Sequence, residues 1–177
     1  MEVYFIRHGQ SEANLAKIMS TSPKNSAPLT KKGKRQAKRA AKKLKKLNVD
    51  KIFTSQLTRA KETTDIINEY HNASIKIDKR LNEIVTGFDG LPSKEWEQFI
   101  KKNRFTVKKK GAESMKDVQK RLKSFLKDLE KTKHKRVFIV AHGIILIMAI
   151  SIFRKMNGQE TNLIKTPKNC AILKFEL

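Results

Sequence analysis

The stretch EVYFIRHGQSEAN, Glu2 to Asn14, sets the reading of the chain. Val3, Tyr4, Phe5 and Ile6 form an unbroken apolar run, the pattern of a strand covered on both faces. The run stops on Arg7, His8 and Gly9, and a polar tail continues to Asn14. A buried strand that ends on an arginine beside a histidine needs a chemical reason for placing them there.

The rest of the chain supplies a context. DKIFTS (50–55), IKI (75–77), RVFIVA (136–141) and AILKFE (171–176) read as further strands. Between them lie helical patterns. Thr30 is a candidate N-cap for a helix to about Leu47, with Ala37, Ala40, Ala41, Leu44 and Leu47 on one face. A second helix carries Leu57, Ala60, Thr64 and Ile67, a short one follows Pro92, and a long one carries Met115, Val118, Leu122, Phe125, Leu126 and Leu129. STSPKNSAPLT (20–30) reads as a loop. Strands alternating with helices predict an α/β fold with a mostly parallel sheet, whose ligands sit beyond the carboxyl ends of the strands.

Composition narrows the classes. The 177 residues carry 38% hydrophobic content and no long linker, which predicts a single domain spanning 1–177. The formal net charge is +23, yet 31 of the 40 basic residues are Lys and 9 are Arg. Arg is the usual residue for bidentate phosphate and base recognition, so this split favours a lysine-rich solvated exterior over a nucleic-acid binder. Cys170 is alone and forms no intrachain disulfide, which suits a reducing compartment. The apolar run Val137–Phe153 is shorter than a membrane span and contains His142. With no signal segment at the start, the expectation is a cytoplasmic protein without a membrane partner.

Three strand ends offer similar chemistry to one rim: Arg7-His8 after the first, Arg59 just past the second, and His142 after VFIVA. His71 and His134, in polar sequence surroundings, are left as ordinary structural groups. Two arginines suit a dianionic phosphoryl group, and a neutral histidine in line with phosphorus can attack it and become phosphohistidine. Neighbouring positive charge would keep that imidazole neutral. The scheme requires no metal and no cofactor, and no cluster with metal-ligand spacing occurs. A departing alkoxide needs an acid. Glu83, followed by Gly87 and Gly90, is the candidate, although its chemistry alone reads as an ordinary exposed glutamate.

Taken together, these blocks resemble the histidine phosphatase superfamily, in its phosphoglycerate-mutase-like branch. IRHGQSEAN resembles the family signature, which implies His8 as nucleophile with Arg7 and Asn14 as phosphate contacts. PLTKKGKRQA is similar to its L-T-x-x-G-x-x-Q-A helix start, and TSQLTRAKET to its S-x-L-x-R-A-x-E-T segment, which implies Arg59 in the phosphate pocket. LNEIVTGFDG resembles the element carrying the proton donor, here Glu83. GAESMKDVQKR and VAHG follow in the expected order, adding His142, with Gly143 beside it, to the phosphate site. The resemblance implies a three-layer α/β/α sandwich and a two-step reaction through phosphohistidine.

There are departures. Ile144 to Ile150 carry no charge where the family often has an arginine, and Met19 to Ala27 lack the usual R-x-Q-G-x-x-D pattern. Gln10 stands where an acidic residue is frequent. In the resemblance, true mutases have a longer insertion and an E-R-H-Y-G motif. Here EIVTG follows the same position, and about twenty residues separate Gly90 from Gly111. The expectation is a metal-independent phosphomonoesterase acting on a small phosphate ester. The alternatives are a cofactor-dependent phosphoglycerate mutase and a non-catalytic basic protein binding phosphate or nucleic acid on the same scaffold.

Overall fold

Alternate residues of the first strand serve opposite faces of one sheet, and this divides the core in two. The computed structural model describes residues 1–101 and 103–177. Its strands are β1 (Glu2–Arg7), β2 (Lys51–Thr54), β3 (Ser74–Ile77), β4 (Arg136–Ala141) and β5 (Ile172–Glu176), ordered β3-β2-β4-β1-β5. β1 to β4 run parallel, and β5 joins β1 antiparallel at the edge. Val3 and Phe5 face one side with Phe53, Val137 and Ile139. Tyr4 and Ile6 face the other with Ile52, Phe138 and Val140.

The helices are α1 (Glu12–Ala16), α2 (Lys31–Leu44), α3 (Thr58–Asn68), α4 (Ser93–Ile100), α5 (Met115–Glu130), α6 (Gly143–Phe153) and α7 (Gly158–Asn162). Ala41 and Leu44 of α2 pack with Ala60 and Ile67 of α3 on the Tyr4 face. Leu122, Phe125 and Leu126 of α5 pack with Ile145 to Ala149 of α6 on the Phe5 face. The result is the expected α/β/α sandwich. Burying a side chain such as Leu122 contributes about 1.5–3 kcal/mol relative to leaving it exposed. The apolar run from Val137 to Phe153 resolves into β4 and an 11-residue helix covered by the sheet and α5. Among the described residues, no helix is long and apolar enough to cross a membrane.

Thr30 caps α2 as its sequence position suggests, its Oγ1 accepting from the Gly33 N–H at 2.9 Å. The helix ends at Leu44 rather than Leu47, because the chain turns there with the Leu47 N–H donating to Leu44 O at 2.8 Å. Leu47 still packs beside the Tyr4-face core, so the apolar spacing outlasts the helix. Pro23–Asn25 forms a 3-10 turn inside the expected loop, and the short α1 and α7 had no distinct apolar period. His71 and His134 take no part in the site: their rings lie edge-on to Phe138 and Phe53, His134 also borders a charged hollow with Lys76, Asp78 and Asp128, and neither lines a cavity with His8.

Register brings the chemistry together. Arg7 pairs with Ala141 and Thr54 with Val140, so β1, β4 and β2 end level with one another. The residues that follow, His8, His142 and Ser55, therefore leave the sheet at one height.

Candidate active site

His8 is 2% exposed at the end of β1, and both ring nitrogens are engaged. Nδ1 lies 2.6 Å from Gly9 O, and Arg59 Nε donates to Nε2 at 3.1 Å. An N–H donor facing Nε2 requires a lone pair there, so the proton sits on Nδ1, facing the Gly9 carbonyl. Burial first, and then the charges of Arg59 and Arg7, hold the His8 pKa well below the ordinary histidine value. The neighbouring cations anticipated from sequence are thus present, but desolvation is the larger cause. His8 is neutral at pH 7, with its lone pair on Nε2.

Arg59 enters from the first turn of α3, where the spacing of Ala60, Thr64 and Ile67 presses the helix onto the sheet. Burial lowers its pKa to about 10, with Glu83 opposing and Arg7 adding to the shift. Arg7 is lowered by burial too, again with Glu83 opposing. His142 caps α6, its ring centroid 5.1 Å from that of His8, and its Nε2 lies 2.7 Å from Ser55 Oγ. Burial, then the Arg59 charge, holds His142 neutral as well. Among the described residues, Arg7 Nε, Arg59 Nη1 and His142 Nδ1 are buried without a hydrogen-bond partner. Buried polar nitrogens are normally paired, so the two arginine N–H groups beside the His8 imidazole make an anion-accepting pocket, which His142 Nδ1 joins in the tautomer that carries its proton there.

Glu83 is half-buried, and its carboxylate takes the N–H groups of Ile84 at 2.9 Å and of Ile144, in the first turn of α6, at 3.4 Å. The loop behind it is fixed from α5: Arg121 donates to Glu83 O at 3.3 Å and pairs with Glu113, which in turn accepts from the Val85 N–H at 3.0 Å. Asn14 lines the cleft with its Oδ1 committed to the Ser11 N–H and to Asn169, which leaves its amide N–H groups for a ligand. Gly143 lies close to Thr166, whose exposed side chain would have to shift for a Cβ there, 2.8 Å from its Cγ2. All seven residues expected from sequence thus gather at the ends of β1, β2 and β4. Above them opens a cleft of about 620 Å³, walled by Met19, Thr21, Trp96, Ile100 and Arg104. Among the described residues, no group of three or more His, Cys, Asp or Glu is placed to hold a metal ion.

The family model described as histidine phosphatase superfamily (branch 1) matches residues 3–177. The chain belongs to that superfamily. A protein named probable phosphoglycerate mutase GpmB from Salmonella choleraesuis is 27% identical over 185 residues, covering 99% of this chain and 85% of that one. Bacillus stearothermophilus YhfR superposes with a TM-score of 0.90 at 24% identity, over 99% of this chain and 91% of its own. A mycobacterial glucosyl-3-phosphoglycerate phosphatase complexed with VO3 gives 0.87 at 22% identity, over 98% and 90%. A phosphoserine phosphatase from Entamoeba histolytica, in complex with 3-phosphoglyceric acid, gives 0.82 at 24% identity, over 99% and 90%. At these identities the structural likeness concerns the fold.

In this member of the superfamily, several supporting residues carry no signal readable as chemistry. Thr63 accepts the Gly9 N–H at 3.1 Å, Glu62 accepts the Leu29 N–H at 2.6 Å, and Ser55 meets His142. All three lie inside the TSQLTRAKET motif, which drew attention only for Arg59. Arg104 and Trp96 lie outside every motif. Asp89 accepts from Thr21 and Ser22, which ties the cleft wall at 19–22 to the Glu83 loop.

Proposed function

We propose that the protein is a metal-independent phosphomonoesterase that hydrolyses a small phosphate ester through phosphohistidine on His8. The observation that carries this reading is the Nε2 lone pair of a neutral, buried His8, ringed by Arg7, Arg59 and His142 with unpartnered nitrogens. As the phosphoryl group enters, Arg59 turns its donors from Nε2 to the phosphate oxygens, and the freed lone pair attacks phosphorus. An Nε2–P bond forms, the ester P–O bond breaks, and the leaving oxygen takes a proton from the Glu83 carboxyl. Arg7 and Arg59 stabilise the equatorial charge. In the second step Glu83 takes a proton from water, the water oxygen attacks phosphorus, and Nε2–P cleavage restores His8.

His142 has two states available. Ser55 Oγ both approaches His142 Nε2 and donates to Asn82 at 3.1 Å. Turning its O–H to Nε2 would leave the His142 proton on Nδ1, where it can donate to a phosphate oxygen.

The mutase reading rests on the name of the Salmonella relative. Against it stands the short interval between Gly90 and Gly111, whose described residues form one helix of eight residues. Purified protein should release phosphate from an aryl phosphate in the presence of a chelator, and His8→Ala should abolish release. Rapid quench should trap an acid-labile, alkali-stable phosphoryl group in the wild type only. Undiminished turnover by His8→Ala would overturn the mechanism. Interconversion of 2- and 3-phosphoglycerate in preference to hydrolysis would favour the mutase.

A further inference from the structure

A second cavity of about 530 Å³ lies on the α2 side of Arg7 and shares only Arg7 and Thr166 with the cleft above His8. Its chemistry is one-sided. Lys32, Arg39 and Lys43 of α2 face Lys168 across it, with Gln36 and Asn169 as neutral donors, and among the described residues no carboxylate lines it. α2 contains no acidic residue. Among the described residues, none of these four cations forms a salt bridge. Like charges around one concavity repel one another, and a compact multiply charged anion relieves that repulsion more than a single phosphate does. The volume lies in the ordinary range for small-ligand pockets.

The floor of this cavity is wired to the residues beside the nucleophile. Asn169 Nδ2 donates to His8 O at 3.1 Å and to Asn14 Oδ1 at 3.3 Å. Arg7 Nη1 donates to Pro167 O at 2.5 Å, and the Cys170 N–H donates to Arg7 O at 3.0 Å. Gln36 holds the Gln10 N–H at 2.9 Å. An anion gripped by Lys168 and Asn169 therefore pulls on the segment that positions Arg7, His8 and Asn14.

We propose that this cavity is a second anion site, which takes a diphosphate or triphosphate moiety and modulates the His8 site through residues 166–170. The probe is methylenediphosphonate, whose P–C–P bridge resists hydrolysis, titrated calorimetrically at about 0.15 M salt so that diffuse attraction is screened. Arg39→Gln/Lys43→Gln should weaken binding about tenfold or more. Lys120→Gln/Lys123→Gln, which removes the same charge from the exposed side of α5, should leave binding unchanged. Equal weakening in both variants, or no binding to the wild type, overturns the site. So does binding that is lost in Arg59→Met but kept in Arg39→Gln/Lys43→Gln, because the anion then sits against His8. With aryl phosphate as reporter, saturating probe should shift KM to a plateau, whereas complete competitive inhibition also overturns the proposal. Calorimetry needs no turnover, so failure of the second site is distinguishable from failure of the hydrolase reading. Tighter binding of α,β-methylene-ADP than of the bare diphosphonate would assign the moiety to a nucleotide, and equal binding to the free anion.

Discussion

Protonating His8 would place a third positive charge beside Arg7 and Arg59 in a buried site, and the protein resists it. Burial leads the depression of the His8 pKa, and the two arginines add to it. The acid limb of kcat/KM should therefore fall below the ordinary histidine range near 6.5, once the second ionisation of the substrate phosphate is accounted for. A limb at about 6.5 or above, belonging to the enzyme, would mean that the nucleophile titrates as a solvated imidazole. The stability consequence has a definite sign. His8 and His142 both have folded pKa values below the unfolded one, so the unfolded chain binds more protons between those values. Their contribution to stability is complete above about pH 6.5 and is lost as pH falls toward the depressed values, which a series of Tm measurements against pH can follow. At this scale Arg7, His8, Arg59 and His142 were legible because Arg7 closes a strand and the other three come just after strand ends. Glu83 was not legible from its own chemistry. A half-exposed carboxylate gains its place from Arg121 and Glu113 on and before a distant helix, and that contact leaves no local trace.

The elements meet most closely where the His8 loop crosses the start of α2. A Cβ on Gly33 would lie 2.0 Å from Gln10 O, and one on Gly9 would lie 2.5 Å from Gly33 O. These are backbone obstacles that a side-chain rotation cannot clear. The helix start LTKKGKRQA is thereby explained residue by residue. Thr30 caps Gly33, Gly33 admits the loop, Gln36 accepts the Gln10 N–H, and Ala37 is fully buried. Gly33→Ala should destabilise the protein by about 1–3 kcal/mol, as overpacked sites do, and should lower kcat because the obstruction displaces the loop that carries His8. Thermal melts together with single-turnover rates check it, and a wild-type Tm would refute the close-approach argument. The sequence pattern located this helix and its cap but ran past its end, because Leu47 keeps the apolar period after the backbone has turned. α1 and α7, of five residues each, fall below the length at which helical spacing is distinguishable.

Across the whole molecule, alternation of strands and helices announced the layers, whereas the strand order depended on pairings between segments up to about 170 residues apart, which no local pattern encodes. Composition likewise reported a net charge of +23 without saying where it acts. Around the cleft, among the described residues, Arg7, Lys17, Arg59, Lys101 and Arg104 face only Glu83 and Glu97, so the lining is itself cationic. Screening at about 0.1 M salt confines exposed charges to a range of about 10 Å. The pull on an incoming anion should then come from these lining residues rather than from the outer face of α2. Raising salt from about 0.02 to about 0.2 M should lower kcat/KM for a dianionic ester several-fold while leaving kcat nearly constant, and an ester bearing a second anionic group should show the steeper slope. Neutralising Lys34, Lys38 and Lys42, exposed on α2 and outside both cavities, should leave that slope unchanged at moderate salt. If the triple variant flattens the slope, the field is global and the lysine-rich exterior takes part in substrate capture. If kcat/KM does not respond to salt in the wild type, the charge has no part in capture.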